Sequence, residues 1–414
     1  MSTFSPKFAV FHDSFCQFGG AERFAEELHG ALSRNAPTAL HTTVAAEQVL
    51  TPQLRGAGIQ ATWMRHLPLP HKFFRAYFLL FPFAVEHADL REYDLIVSSC
   101  FGYAKGVRKR AARHGRPAAL HICYCHTPMR WVWRTNDYLA REGHARLKSA
   151  LLALPLRWLK RWELKAARRP DLFLANSNVV AKRLRDAFGV EATVIPPPID
   201  TARFAPLTGH EYDEPEDFYL VLSRLVPYKR FDLAINACRA LKRKLVIIGD
   251  GVDRARLESL AAGDPNIVFL GRVPDAGVVE YARRTRGLLF PGEEDFGMTP
   301  LEINAAGRPV IAYRAGGATE TIIEGLNGLF FDEPTAESLA DAMLRFEDRI
   351  WDMDAIRTRA AAFDRTVFRR RILQFVEAAM EAHQAVSTQT GPLMFPSRVA
   401  EDLAELGRRV GRAS

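Results

Sequence analysis

Two glutamates with seven residues between them, Glu294 and Glu302, bracket a loop-to-helix junction in the stretch Pro291 to Gly317, PGEEDFGMTPLEINAAGRPVIAYRAGG. Gly297 between them lets a backbone approach a ligand closely, and a helix start behind it offers unpaired N–H groups to an anion. Upstream, Arg224 and Lys229 stand five positions apart in SRLVPYKR. An arginine fork and a lysine point charge in one loop can converge on a phosphate pair. His126 in YCHTPMRW and the pair Gly19–Gly20 in GGAER are the other residues with chemistry to offer.

Each has a plain structural alternative that the residues alone leave open. Thr299-Pro300-Leu301-Glu302 fits a capping box, with a hydroxyl at the cap and an acid three residues on. Glu294 could be a solvated loop acid, His126 a structural histidine, and Arg224 and Lys229 surface charges. Gly19–Gly20 forms a generic strand-glycine-helix turn, neither a P-loop nor a G-x-G-x-x-G fingerprint. At Gly249-Asp250-Gly251 the third fingerprint glycine is missing, which argues against a dinucleotide.

The elements that must position these residues follow from apolar runs. Around the two glutamates, Gly287 to Phe290 and Pro309 to Ala312 read as buried strands flanking a helix from about Pro300. Such a βαβ unit places its loop at the carboxyl end of a parallel sheet, where ligands bind. Earlier strands are expected at Lys7 to Phe11, Ala39 to Val44, Asp94 to Ser98, Ala118 to Cys123 and Asp171 to Ala175, alternating with helical stretches. His126 then follows the fourth of these, and Asn176-Ser177 can cap a helix over Val179 to Ala187. Later strands are expected at Phe218 to Leu222, Lys244 to Ile248 and Ile267 to Leu270. Alternation of this kind specifies an α/β fold with mainly parallel sheets.

A chain of 414 residues exceeds one ordinary core. The three prolines of VIPPPID, Val194 to Asp200, mark a stiff boundary, giving domains over residues 1–195 and 196–385 and a tail over 386–414. The net charge of +8 favours acidic partners such as nucleotide phosphates or an anionic bilayer. Charge without an interleaved aromatic motif does not carry a nucleic-acid reading. Five cysteines, an odd number, point to a reducing compartment, and Cys123-Tyr124-Cys125 lacks zinc-site spacing. No signal peptide is visible near Met1, and no run reaches the ~20 apolar residues of a membrane span. Phe73 to Val85 reads as a core helix or groove-lining segment. Past Pro155, Arg157, Arg161, Lys165 and Arg168 recur at helical spacing beside Trp158 and Trp162. That helix either lies on an anionic membrane or packs its tryptophans on the sheet. Lys105 to Arg116 adds a basic loop.

Taken together, the motifs resemble the retaining GT-B glycosyltransferases of the group 1, family 4-like class, which includes bacterial mannosyltransferases and glycogen synthases. The resemblance spans about residues 7 to 385, with motifs in both halves in the right order. It implies two doubly wound Rossmann-like domains facing a cleft, with a last helix crossing back onto the first domain. It also implies that Glu294 meets the donor sugar and Glu302 the nucleotide ribose, that Arg224 and Lys229 clamp the diphosphate, and that Gly19 and Gly20 bring amides to it. By the same resemblance His126 reaches the donor sugar, Arg272 and Val273 lie by the base, and Gly249, Phe296, Gly297, Met298 and Thr299 line the donor. The implied reaction is metal-independent, cofactor-free transfer of a hexose, with retention and the leaving phosphate as base. Mannose from GDP-mannose is the expected donor group and a glycan or lipid-linked saccharide of cell-surface polysaccharide synthesis the acceptor. UDP-sugar transfer, a same-fold epimerase or sugar-phosphate synthase, and a silent carbohydrate-binding scaffold are the alternatives. The expected location is cytoplasmic, at the inner face of the membrane.

Overall fold

The alternating apolar runs become two separate parallel sheets. A computed structural model describes residues 6–112, 117–133, 145–205 and 214–388. They fall into two units, one running to Pro196 and resuming at Phe368, the other Pro197–Val367. Residues 113–116 of the basic loop, and the expected tail from residue 389 on, lie outside the described residues.

The first unit holds strands β1 (Phe8–His12), β2 (Thr38–Thr42), β3 (Gln60–Ala61), β4 (Leu95–Cys100), β5 (Leu120–Cys125), β6 (Leu172–Ala175) and β7 (Thr193–Val194). Their order is β3-β2-β1-β4-β5-β6-β7, with every pairing parallel. Because strand side chains alternate faces, Phe8 and Val10 enter one core cluster and Ala9 and Phe11 the other. Full burial of a side chain such as Phe11 or Phe24 is worth roughly 1.5–3 kcal/mol, so two covered faces outweigh local propensity. The terminal helix, Arg365–Thr388, belongs to this unit from Phe368 onward. There Phe368, Ile372, Phe375 and Val376 join the cluster containing Phe24, and Arg369 pairs with Glu27.

The second unit holds β8 (Tyr219–Leu222), β9 (Leu245–Ile248), β10 (Ile267–Gly271), β11 (Gly287–Phe290), β12 (Val310–Tyr313) and β13 (Gly328–Phe331). Their order, β10-β9-β8-β11-β12-β13, reverses direction between β8 and β11. That reversal is the topological switch point, beyond whose strand ends ligands collect. The chain enters and leaves this unit side by side, since Ile199 bridges Asp364.

Three expectations differ from the structure. The basic helix begins well before Pro155, running Ala145–Ala166 through that proline. The Phe73 to Val85 segment is not one helix but two short ones, Pro70–Phe73 and Phe81–Glu86. The helix behind Gly297 starts at Met298, two residues earlier than the capping-box reading places it.

Candidate active site

In the second unit the proposed residues follow the carboxyl ends of strands, with Arg224, Lys229 and Glu294 in the two loops at the switch point, after β8 and β11. The loop after β8 carries Arg224, exposed, and a 3₁₀ turn Pro227–Lys229. The loop after β11 carries Glu294, and Lys229 Nζ pairs with Glu294 Oε1. Both side chains are largely buried, at 13% and 14% exposure, so the pair is shielded from bulk water. The two loops are locked together by close packing. A Cβ on Gly292 would come within 2.8 Å of Lys229 Cα, so only glycine fits there.

Gly249 after β9 is equally constrained, with φ +136 and an imagined Cβ 1.8 Å from Ser223 O. Its amide donates to Gly271 O at 2.8 Å, tying the ends of β9 and β10 together. Beyond β10, Arg272 is exposed and Val273 partly buried against the core. After β12, the Gly317 amide donates to Glu294 O at 2.9 Å, fixing the glutamate's backbone from the other side.

The helix Met298–Ala305 corrects one reading. Its N-cap is Gly297, left-handed at φ 86, and no side chain caps it. Thr299 is therefore already the second helical residue and Glu302 the fifth, two residues too deep for a capping-box acid. Glu302 is left half-buried on the helix's second turn. Phe296, expected to line the donor, is buried at 4% exposure, with its ring 5.9 Å from that of Phe363. Gly297, Met298 and Thr299 stay partly exposed at the helix's N-terminal end, which carries partial positive charge.

In the first unit, Gly19 is the N-cap of the helix Gly20–Leu32. Its amide already donates to Glu22 Oε2 at 3.0 Å, so the helix start rather than the Gly19 N–H faces outward. His126, half-buried, follows β5 directly. Its amide donates to Cys100 O at 2.8 Å, and Asn176 Nδ2 donates to its carbonyl at 3.1 Å. Its ring meets Phe24 edge-on at 4.8 Å and Tyr124 at 5.1 Å.

Sequence reasoning missed the buried charged groups that hold the loops after β4 and β5. Asp13, after β1, accepts from the amides of Phe101, Gly102, Tyr103 and Ala104 at 2.6–2.7 Å, which folds the loop after β4 around it. Burial pushes the Asp13 carboxyl up to about 7, with Lys105 and those amides pulling the other way. Lys105 pairs with Glu163 at 2.8 Å with both side chains fully buried. Glu163 also accepts from Met129 N at 3.1 Å and Trp133 Nε1 at 2.7 Å, anchoring the loop after His126 to the basic helix. No local pattern announces these partners, which lie 30 to 91 positions apart.

The description "Glycosyltransferase Family 4" matches residues 18–203, and "Glycosyl transferases group 1" matches residues 208–360. The chain is 32% identical over 199 residues to the GDP-mannose-dependent alpha-(1-6)-phosphatidylinositol monomannoside mannosyltransferase of Mycolicibacterium smegmatis, covering 42% of this chain and 52% of that protein. It thus spans about half the length of the first curated relatives it matches. It is 28% identical over 357 residues to the D-inositol 3-phosphate glycosyltransferase of Geodermatophilus obscurus, covering 75% of this chain and 78% of that one. Among solved structures, Anabaena Alr3699/HepE in complex with UDP is similar with TM-score 0.64 at 18% identity, covering 89% of this chain and 99% of that chain. Likeness at that identity bears on the fold.

Proposed function

The chain belongs to the group 1 glycosyl transferases and has the GT-B fold, and on that footing we propose that it transfers a hexose from a nucleotide sugar to a glycan or lipid-linked saccharide. The observation that carries this reading is the Lys229–Glu294 pair at the switch point of the second unit. It joins a residue suited to phosphate with one suited to sugar hydroxyls. Arg224 and the helix start at Gly297 lie on the same sheet edge.

Leaving-group charge develops on the diphosphate as the glycosidic bond breaks. Lys229, Arg224 and the helix dipole meet that charge in place, which lowers the barrier without reorganisation and without a divalent ion. Glu294 holds Lys229 before the donor arrives and accepts from sugar hydroxyls once it is bound. Glu302, one turn into the helix, accepts from the ribose. Transfer proceeds with retention, the leaving phosphate taking the acceptor's proton. Mannose from GDP-mannose is the first choice, supported by the mannosyltransferase names among the relatives.

The enzyme works as a peripheral protein on the inner face of a membrane. The basic helix supports this, with Leu154 75% and Trp158 40% exposed beside outward Arg157, Arg161 and Lys165, and with Arg168 exposed in the turn that follows. Among the described residues no helix is long and apolar enough to cross a bilayer.

A thermal-shift panel of GDP-, UDP- and ADP-sugars in excess chelator tests the donor, because a ligand of the native state raises the melting temperature. GDP-mannose should give the largest shift. A larger shift with a UDP-sugar moves the donor to that class, and turnover without any acceptor moves the reaction to an epimerase. A shift that needs a divalent ion contradicts metal independence.

A further inference from the structure

Strands β1, β4 and β5 are neighbours, and their carboxyl ends carry His12, Ser99 and His126 in a row. His12 and Ser99 are direct partners in the β1–β4 register, and Ser99 is opposite Tyr124 on β5, two residues before His126. Ser99 Oγ lies 3.0 Å from His12 Nδ1 and 3.0 Å from His126 Nε2. His12 and Ser99 are fully buried, while His126 at the end of the row is partly exposed. His12 is itself wedged between the Phe15 ring at 4.7 Å and the Phe101 ring at 5.7 Å, so its imidazole has a fixed plane.

We propose that Ser99 and His12 are positioning residues that fix the orientation and tautomer of His126 for its contact with the donor sugar. The inference rests on the reading of His126 given above. A serine hydroxyl has one proton, so with both bonds made it donates to one imidazole and accepts from the other. Either direction commits His126 Nε2 to Ser99 and so selects one tautomer of a neutral ring. Burial holds His12 neutral, down at about 3, so the inner end of the row does not add a competing charge. Outer partners of this kind commonly set which nitrogen of a histidine carries its proton.

Selective ¹⁵N-histidine labelling of the full chain reads the tautomer directly, with His126→Ala assigning the resonance. The parent should show one dominant His126 tautomer. Ser99→Ala and His12→Phe should return it to the mixture of a free imidazole, and Ser99→Thr should restore the parental signal. Turnover with GDP-mannose should fall roughly 10–100-fold in kcat in Ser99→Ala, with GDP affinity unchanged, and recover in Ser99→Thr. Should Thr prove too large for the buried site, seen as a lowered melting temperature, the Ser99→Ala spectrum still decides. An unchanged His126 tautomer and kcat in Ser99→Ala overturns the proposal. A changed tautomer alongside full turnover in His126→Ala overturns instead the placing of His126 at the donor, and with it the relay's role in the reaction.

Discussion

Glu302 is where sequence and structure part most usefully. Its four-residue context fits a cap, yet the left-handed Gly297 starts the helix early and puts the acid in the second turn. A helix-start rule cannot see that, because the deciding fact is a backbone angle. Glu302→Gln should therefore leave stability nearly unchanged but weaken nucleoside diphosphate binding by about 1–2 kcal/mol, since the amide loses the charge-assisted bond. Glu294→Gln should bind free nucleotide normally and fail instead in turnover. Titration calorimetry on both variants separates the two roles; parental nucleotide affinity in Glu302→Gln would remove the ribose assignment. Lys229 and Glu294 could each be picked out by residue type and loop position. Their pairing could not, because it arises from two loops 65 residues apart closing at the switch point. Asp13 and Ser99 were invisible for the same reason.

Among the elements, the strands were legible because each is a short apolar run between polar punctuation. The exceptions are instructive. Strand β4 runs on to Cys100, past the expected end at Ser98, because its serines are satisfied within the sheet. Ser98 Oγ lies 2.9 Å from His121 Nε2, and Ser99 meets His12, so neither hydroxyl needs water. The basic helix divides the two alternatives weighed for it. Trp162 is buried and donates to Glu86 Oε1 at 2.7 Å, whereas Trp158 stays exposed and stacks on Phe83 at 6.0 Å. With Trp158, Arg157, Arg161 and Lys165 exposed on the helix and Arg168 exposed just past its end, binding to anionic vesicles should weaken as salt rises, because exposed charges are screened beyond ~10 Å at 0.1 M. Replacing Arg157, Arg161, Lys165 and Arg168 with Gln should lower sedimentation with those vesicles. Equal sedimentation before and after would leave the helix an ordinary part of the core.

At the scale of the molecule, two doubly wound units follow from alternation and the proline boundary, while the return of the terminal helix rests on apolar spacing that a tail shares with any amphipathic helix. The units differ in one physical respect that sequence alone conceals. Burial depresses His12 and His121 to about 3 and His41 to about 4, all in the first unit. In the unfolded chain these histidines bind protons below pH ~6.5. Their stabilisation is thus complete above that pH and lost as pH falls toward 4 and below. Asp13, raised to about 7, works in the opposite sense over part of that window and offsets one proton. A net of about two protons predicts a loss of roughly 2–3 kcal/mol per pH unit at the steepest point. The second unit contains a single histidine, His210, and one tryptophan, Trp351, so tryptophan fluorescence reports chiefly on the first. Its melting temperature should fall between pH 7 and pH 5; a flat profile would mean those histidines are not held neutral. The claim on which the whole account turns is that the second unit's strand ends bind a nucleotide sugar through Lys229 and Arg224. Calorimetric titration of GDP and GDP-mannose into the parent, Lys229→Ala and Arg224→Ala tests it most directly. The account predicts binding of both ligands by the parent and a loss of about tenfold or more for both in either variant. Unchanged affinity in both variants, or a parent that binds no nucleoside diphosphate at all, would contradict it.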